Sequence, residues 1–363
     1  DHGARLRDRD PAKGITRATV AGRPVEIVPG CTETLEFSTL TQEARRLIEN
    51  EHVDALVAGS LGADEVVLRR LARAHPQVSV VAAATGPREL SGGRAPANFH
   101  RVVADESQSA AGLGTFARRY LGWRGAAVVY LDWDAGWGAR DAFTAEFCSL
   151  GGRVTAAIPS ADFSEGAALA QHVPRSVDGV VVFSAPPFES SRALIALARR
   201  LGNPRQRLLV GPGTTGDAAS LRTVSRALDG VAGSGLLPVP AAPTRRAYLQ
   251  AYARAFPALP RGSADNAFVS GFNSSVVALL AALDRAGGRT ADVPAQLARM
   301  RLDLIGVPTR LRAGGRADVP VHLVRVHRGG AGGLTPIRTI PAVGRSVGGL
   351  LPARFTPGAE PSA

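Results

Sequence analysis

The chain has 363 residues and a mass of 37.7 kDa, a length typical of two domains. Apolar residues make up 45% of it, which excludes an intrinsically disordered protein, and no apolar run is long enough to predict a membrane-spanning helix. The net charge of +12 comes almost entirely from arginine, because Lys13 is the only lysine. These arginines alternate with Leu and Ala rather than with aromatic residues, so we predict a solvated surface and no nucleic-acid binding.

Short apolar strands alternate with amphipathic helices through the first part of the chain. The predicted strands are Val25–Val28, Asp54–Ala58, Val78–Ala84, Gly125–Tyr130, Val154–Ile158, Gly179–Ser184 and Leu208–Val210. The predicted helices are Gln42–Glu51, Ala63–Ala74, Gln108–Tyr120, Ala139–Leu150, Gly166–His172 and Ser190–Leu201. Strands separated by helices are parallel and have helices on both faces, so the pattern predicts a doubly wound α/β fold.

The alternation ends after Asp217. The remaining predicted helices are Arg245–Phe256, Asp265–Ala286 and Asp292–Arg301, and the remaining predicted strands are Thr309–Leu311 and Val319–Val326. From Gly329 onward the chain is rich in Gly, Pro and Arg without periodicity, which predicts a mostly irregular tail.

Cys31 and Cys148 lie far apart in sequence, without the CxxC spacing of a zinc or thioredoxin-like site, and we expect them to be unpaired. The chain opens with Asp1 and contains a single methionine, Met300. We therefore expect that processing or trimming has removed a start codon and any signal peptide.

Seven segments, taken in order, resemble one known family. They are GRPVEIV (Gly22–Val28), ARRLIENEHVDALVAGSLGAD (Ala44–Asp64), VSVVAAATGPREL (Val78–Leu90), NFHRVVADESQSA (Asn98–Ala110), VVYLDWDAGWGARDAF (Val128–Phe143), PSADFSEG (Pro159–Gly166) and the stretch Tyr248–Gly288. The set resembles the type I periplasmic binding proteins, and among them the branched-chain-amino-acid-type substrate-binding proteins of ABC transporters. The resemblance runs from about Gly3 to Arg328.

The resemblance implies two doubly wound parallel-sheet lobes joined by three crossovers. Lobe one would be 1–118 plus 244–307, lobe two 119–239 plus 308–330, and 331–363 a Gly/Pro-rich tail. It further implies a protein outside the cytoplasm, secreted or held at the cell surface as a lipoprotein. Such a protein captures a small polar, amino-acid-like metabolite by hinge closure, passes it to an ABC permease and has no catalytic step. We expect a monomer.

Two features depart from the family pattern. Gly3–Gly14 resembles the helix that follows the family's first strand, so we expect this chain to lack that central strand of lobe one. Either the natural protein is longer or another segment fills the gap. Amino-acid-binding members carry an acidic residue near the position of Gly213 and a Ser or Thr near Gly62, where this chain has glycine. The departures weaken the prediction of an α-amino-acid ligand.

The ligand site is predicted beyond the carboxyl ends of the parallel strands, where open α/β sheets bind their ligands. The candidate ligand-binding residues are Ser60, Gly62, Ala84, Thr85, Trp133, Asp134, Trp137, Pro187, Phe188 and Gly213. Trp133 and Trp137 predict a stacking wall, with core packing of one of them as the alternative. Asp134 and Asp132 form either a solvated loop or a carboxylate pair, of which one could hold a ligand cation. No phosphate loop, dinucleotide fingerprint or metal-ligand spacing is present in the sequence, so no cofactor is expected.

Two other functions stay open. Ser60 follows a strand in the sequence AGSLG, which is close to the nucleophile elbow of α/β hydrolases. A glycine turn that lets a ligand approach the backbone is the competing interpretation, because His322 and His327 fall on opposite faces of a predicted strand. The second alternative is a ligand-sensing ectodomain of a receptor or kinase, which shares the fold.

Overall fold

A computed structural model of the chain describes residues 5–6, 13, 15–32, 37–59, 64–84, 95–184, 191–236, 242–259, 263–328, 333–343, 346–347 and 351–352. The strands within these ranges form one nine-stranded mixed sheet, two three-stranded sheets and a two-stranded pair, β16 (Ser346–Val347) with β17 (Leu351–Pro352).

The first parallel sheet consists of β4 (Ala55–Ala58), β5 (Ser79–Ala82) and β6 (Phe99–Arg101), in that order. Helix α1 (Phe37–Arg45), which continues into a π-helical turn, and helix α2 (Asp64–Ala74) pack against it. The hydrophobic cluster of this unit includes Leu40, Leu47, Leu56, Leu68, Leu71, Val80 and Phe99. Leu68 and Leu71 of α2 and Leu47 of the π-helical turn are thus buried together with Leu56 and Val80 of the sheet.

The N-terminal segment forms an antiparallel sheet of β1 (Arg5–Leu6), β2 (Ile15–Val20) and β3 (Arg23–Ile27). The hairpin turn uses Ala21 and Gly22, whose positive φ angles of 49° and 77° match the right-handed twist of the paired strands. The predicted likeness of Gly3–Gly14 to a helix is wrong at Arg5–Leu6, because these residues pair with β2 as a strand. Within the described residues β4 pairs only with β5.

The second parallel sheet forms the larger part of the nine-stranded sheet, in the order β8-β7-β9-β10-β11. Its strands are β7 (Gly125–Leu131), β8 (Arg153–Ser160), β9 (Gly179–Phe183), β10 (Leu208–Val210) and β11 (Ala232–Gly235). Its helices are α3 (Glu106–Ser109), α4 (Leu113–Thr115), α5 (Asp134–Ser149), α6 (Ser191–Leu201), α7 (Pro204–Arg207), α8 (Pro212–Thr215) and α9 (Ala218–Val224). The central strand β9 is buried along its whole length, because separate hydrophobic clusters cover its two faces.

The helix predicted over Gln108–Tyr120 is interrupted. Helix α3 ends at Ser109, Gly112 takes a φ of +91°, and α4 then leads into a π-helical turn over Phe116–Tyr120. Only glycine adopts this φ without strain, so the break follows from Gly112. The helix predicted over Gly166–His172 is a 3₁₀ turn over Ala168–His172.

The remaining elements follow in chain order. They are α10 (Pro243–Ala255), α11 (Ala267–Arg285), a 3₁₀ turn (Thr290–Asp292), α12 (Val293–Leu297), β12 (Arg301–Leu304), β13 (Val307–Arg312), β14 (Arg316–Val326) and β15 (Leu334–Val343). The long strand β14 has different partners along its length. Its first part pairs with β13, and its later part pairs with β11 and β15. Leu311, Ala317 and Val319 share a hydrophobic cluster with Ala278 and Ala282 of α11, so the lobe boundary predicted after residue 307 runs through packed side chains.

The prediction of an irregular tail is wrong for Leu334–Val343. This segment is strand β15, paired antiparallel with β14 from Val326 back to Val319. Its residues lack a regular apolar alternation, and the open edge of β14 supplies the backbone partners that make it a strand. Val343 and Ile340 are buried against Ala111.

Helix α11 is the one helix among the described residues whose length and mean hydropathy of 1.5 match those of a membrane span. Its inner face places Ala278, Ala282 and Leu283 in the hydrophobic cluster that also holds Val81 of β5. A helix that packs on a protein core meets the same criterion, so composition and length alone are weak evidence for a span. The expectation of no transmembrane segment therefore stays a prediction.

Candidate functional site

A cavity lies where the carboxyl ends of the two parallel sheets come together, and with its open mouth it encloses about 1110 Å³. The first sheet contributes Ala83 and Ala84, and the second contributes Leu131, Phe183 and Ser184. The other lining residues are Val102, Val103, Ala104, Glu106, Ala135, Gly136, Ala139, Pro212, Gly213, Leu236, Ala267, Phe268, Ser270, Gly271, Ser274, Leu304, Val307, Thr309 and Val319. This is the place where parallel-sheet proteins bind small ligands.

The wall of the cavity is mostly apolar. Ala, Gly, Val and Leu dominate it, with the rings of Phe183 and Phe268, and the hydroxyl groups come from four Ser and Thr side chains. Within the described lining no side chain is cationic, and Glu106 is the only ionisable one. Such a wall suits a ligand with an apolar body and few polar groups.

Two glycines bring backbone segments close together at the wall. A Cβ atom on Gly271 of α11 would lie 1.9 Å from the carbonyl oxygen of Ala83, and one on Gly136 of α5 would lie 1.9 Å from that of Leu131. Only glycine lets the backbone segments come this close. The N-terminal parts of α11 and α5 therefore pack directly against the ends of β5 and β7. Asn266 caps α11 by accepting a 2.8 Å hydrogen bond from the N–H of Phe268.

Glu106 is the first residue of α3 and is held in place by a capping box. The N–H of Gln108 donates to Asp105 Oδ1 at 2.7 Å, and the N–H of Asp105 donates to Gln108 Oε1 at 2.8 Å. The Gln108 amide also donates to the carbonyl oxygens of Ala317 and Val343 on β14 and β15. All four residues of α3 are buried, so the position of Glu106 is set by backbone and side-chain contacts together.

Buried ion pairs lie behind this segment. Arg101 at the end of β6 pairs with Glu65 of α2, and Arg316 of β14 lies 3.2 Å from Asp105. Burial lowers the pKa of Arg101 to about 10, and the attraction of Asp105 and Glu106 opposes that decrease. Arg101 is therefore cationic at neutral pH, and its charge offsets part of the negative charge of Asp105 and Glu106.

Of the ten predicted ligand-binding residues, Ala84 and Gly213 line the cavity. Trp133 is half-buried against the cluster beneath β7, whereas Trp137 is 42% exposed and donates from Nε1 to Asp132 at 2.9 Å; neither is among the lining residues. Ser60, Gly62, Thr85, Pro187 and Phe188 lie outside the described residues, and so does the side chain of Asp134. The predicted roles of these residues stay predictions.

Sequence reasoning missed Glu106 and the start of α11. The signal for Glu106 is the Asp105-to-Gln108 spacing, which is a capping box preceding a helix. The signal for α11 is Asn266 just before an apolar run. Neither motif by itself indicates a ligand site, because most helix caps are structural.

The two histidines weighed as partners of Ser60 lie away from the cavity, and Ser60 itself lies outside the described residues. His322 Nδ1 lies 3.0 Å from the hydroxyl of Thr339, His327 Nε2 lies 2.8 Å from that of Thr335, and neither histidine is a lining residue. Cys31 and Cys148 are exposed free thiols. In the described ranges no group of three His, Cys, Asp or Glu residues could hold a metal ion.

Comparisons with known proteins agree with this fold and cavity. The sequence model of the periplasmic binding protein family matches residues 8–331. No curated protein sequence matches the chain. Members of the family bind small-molecule solutes outside the cytoplasm and work with ABC transporters.

Solved structures with the same fold include three informative cases. A leucine-binding protein LivK from Thermotoga maritima is 20% identical, with a TM-score of 0.71 and 89% of each chain covered. A solute-binding protein of an ABC transporter from R. palustris in complex with benzoate is 20% identical, with a TM-score of 0.76, covering 90% of this chain and 88% of its own. A second R. palustris protein, in complex with 4-hydroxybenzoate, is 16% identical, with a TM-score of 0.77 and coverages of 89% and 88%.

At these identities the structural likeness shows the fold, and the family model together with the predicted segment order shows the family. This chain belongs to the type I periplasmic binding proteins, the solute-binding proteins of ABC transporters.

Proposed function

We propose that the protein captures a small organic solute with an apolar body, of the size of an aromatic ring or a branched aliphatic chain, and delivers it to an ABC permease. The observation that carries this proposal is the wall of the cavity, which is lined by apolar residues from the ends of both sheets. The protein acts outside the cytoplasm, as a monomer and without catalysis.

The lining narrows the class of solute. The predicted small polar, amino-acid-like metabolite is favoured less than a solute with an aromatic or branched aliphatic body, because Gly213 carries no acidic side chain and Ala, Val and Phe residues surround the space. Proteins with this fold support the same range, since the structures described above include a leucine-binding protein and complexes with benzoate and 4-hydroxybenzoate.

Binding is proposed to close the two lobes over the solute. Residues from the ends of both sheets line the cavity, together with Val102–Ala104 and Leu236. A ligand that contacts both walls therefore stabilises the closed arrangement. We propose that lobe one is 1–118 plus 244–319 and that lobe two is 119–239 plus 320–330. This moves residues 308–319 from lobe two to lobe one, because Leu311, Ala317 and Val319 pack with α11.

The test is a thermal-shift screen followed by calorimetry with benzoate, 4-hydroxybenzoate, 3,4-dihydroxybenzoate, leucine and 4-methylpentanoate. We expect a Kd in the micromolar range or below for at least one compound, and compaction in X-ray scattering when it binds. Ala267→Leu fills part of the cavity and is expected to abolish binding, whereas Ala251→Leu, on an exposed face of α10, is its matched control.

The outcome against the proposal is equally concrete. If no compound of this chemistry raises the melting temperature, or if binding survives Ala267→Leu unchanged, then the cavity is not the solute site.

A further inference from the structure

We propose that Glu106 is the specificity-determining residue of the cavity, and that its carboxylate accepts a hydrogen bond from a hydroxyl or amino group of the solute. The cavity then selects apolar solutes that carry such a donor over otherwise identical solutes that lack it. This inference rests on the proposed function and adds to it the chemistry by which one solute is chosen over another.

The first observation is the composition of the wall around Glu106. Glu106 is the only ionisable residue among the described lining residues, and it is 8% exposed in a wall made mostly of Ala, Val, Leu and Phe. An apolar solute that fills the cavity removes water from this carboxylate, which is costly unless the solute offers a donor in exchange.

The second observation is the acceptor capacity of a carboxylate. Its two oxygens provide about four lone-pair sites, so a carboxylate that interacts with Arg101 can also accept a hydrogen bond from a ligand. Sites built to hydrogen-bond a substrate donor reject the analogue without it far more strongly than apolar pockets reject a missing methylene group.

The third observation is the rigidity of the position. The capping box of Asp105 and Gln108 fixes the start of α3, and Ser107 Oγ donates to the carbonyl oxygen of Gly138 at 3.2 Å. A Cβ atom on Gly138 would lie 3.2 Å from Cβ of Glu106, so α5 packs directly against this residue. A carboxylate held in this way loses little freedom on binding, which favours discrimination between solutes.

The position of Glu106 also bears on the orientation of the solute in the cavity. Gly213 lines the cavity without a side chain that could accept a hydrogen bond from the solute. Glu106 lines the cavity as the first residue of α3, so the donor group of the solute is expected to point toward that helix rather than toward Gly213.

The experiment compares solute pairs that differ by one donor group. The pairs are 4-hydroxybenzoate with benzoate and leucine with 4-methylpentanoate, titrated calorimetrically against the wild type, Glu106→Gln, Glu106→Asp and the exposed control Glu49→Gln. In at least one pair we expect the wild type to bind the donor-bearing member about tenfold or more tightly. Glu106→Gln reduces that ratio at least several-fold, Glu106→Asp retains part of it, and Glu49→Gln leaves it unchanged.

The outcomes separate the two proposals. If a compound binds but the ratio within each pair is the same for the wild type and Glu106→Gln, the role of Glu106 is refuted while the solute-binding function stands. If none of the compounds binds the wild type, both proposals fail. A melting curve of unliganded Glu106→Gln close to that of the wild type shows that the variant is folded, and Glu106→Asp supplies a second folded variant.

Discussion

The carboxyl group of Glu146 accepts a hydrogen bond of 2.9 Å from the backbone N–H of Thr115, and thereby ties helix α5 to helix α4. Its second oxygen accepts from the N–H of Gly112 at 3.0 Å, at the break that replaces the predicted continuous helix. The side chain is fully buried, and burial raises the pKa of Glu146 to about 7 against the opposing effect of these hydrogen bonds. Ala135, Gly136 and Ala139 of helix α5 line the cavity, so Glu146 holds in place a helix that forms part of the cavity wall.

The raised pKa of Glu146 predicts a pH-dependent stability. A carboxyl group that titrates near 4.5 when unfolded and near 7 when folded binds its proton more tightly in the folded state. Its contribution to the free energy of unfolding therefore falls as the pH rises from about 4.5 to about 7, by at most about 1.4 kcal/mol per pH unit. Glu146→Gln removes this contribution, and denaturant unfolding at several pH values measures it.

The difference between the two proteins is the quantity to compare, because other groups titrate in the same range. Burial lowers the pKa of His100 to about 4, which makes its contribution rise with pH and oppose that of Glu146. The wild-type value minus the Glu146→Gln value should decline across the window, and a flat difference would contradict the prediction. Glu49→Gln, an exposed glutamate, is the control.

The contact between Gly271 and the carbonyl of Ala83 predicts a severe effect of one added methyl group. Gly271→Ala places a Cβ atom 1.9 Å from that oxygen, which forces α11 away from β5. We expect a loss of about 1–3 kcal/mol in the free energy of unfolding and weaker solute binding. Gly125→Ala is the matched control, because its nearest neighbour would be Thr155 Cγ2 at an ordinary 3.8 Å. Equal effects of the two substitutions would disprove the argument.

The buried pair of Glu65 and Arg101 predicts a large cost for removing one partner. Both side chains are at most 2% exposed, so Glu65→Gln leaves a guanidinium group in a poorly solvated place with less compensating charge. We expect a loss of about 3–5 kcal/mol in urea unfolding. The exposed pair of Arg23 and Asp54 offers the contrast, and Asp54→Asn is expected to cost about 0–1 kcal/mol.

Strand β15 is predicted to be part of the folded unit. Ile340 is 6% exposed and packs with Ala111, Val321 and Val343, so Ile340→Ala is expected to cost about 2–4 kcal/mol in thermal or chemical unfolding. Ile337 on the same strand is half-buried, and Ile337→Ala should cost roughly half as much. A negligible effect at both positions would mean that the segment is not docked on β14 in solution.

The sequence by itself determined the parallel strands and the helices between them, because apolar strands that alternate with amphipathic helices bury their hydrophobic surfaces in a layered α/β arrangement. The division into two lobes was implied by the family resemblance and not by the alternation. The sequence also determined the family, through the order of its segments, and the place of the site, since strand ends of parallel sheets meet at one edge. Ala84 and Gly213, which were predicted in this way, line the cavity.

Only the tertiary structure decided the features that depend on distant partners. Leu334–Val343 is a strand because it pairs with the edge of β14. At the helix break after Gln108, the backbone N–H of Gly112 donates to Glu146. Glu106 lies next to α5 and lines an apolar cavity. Local spacing carries no information about such partners, because they join residues far apart in the chain. The apolar wall of the cavity and the position of Glu106 in it are therefore properties of the packing rather than of any motif.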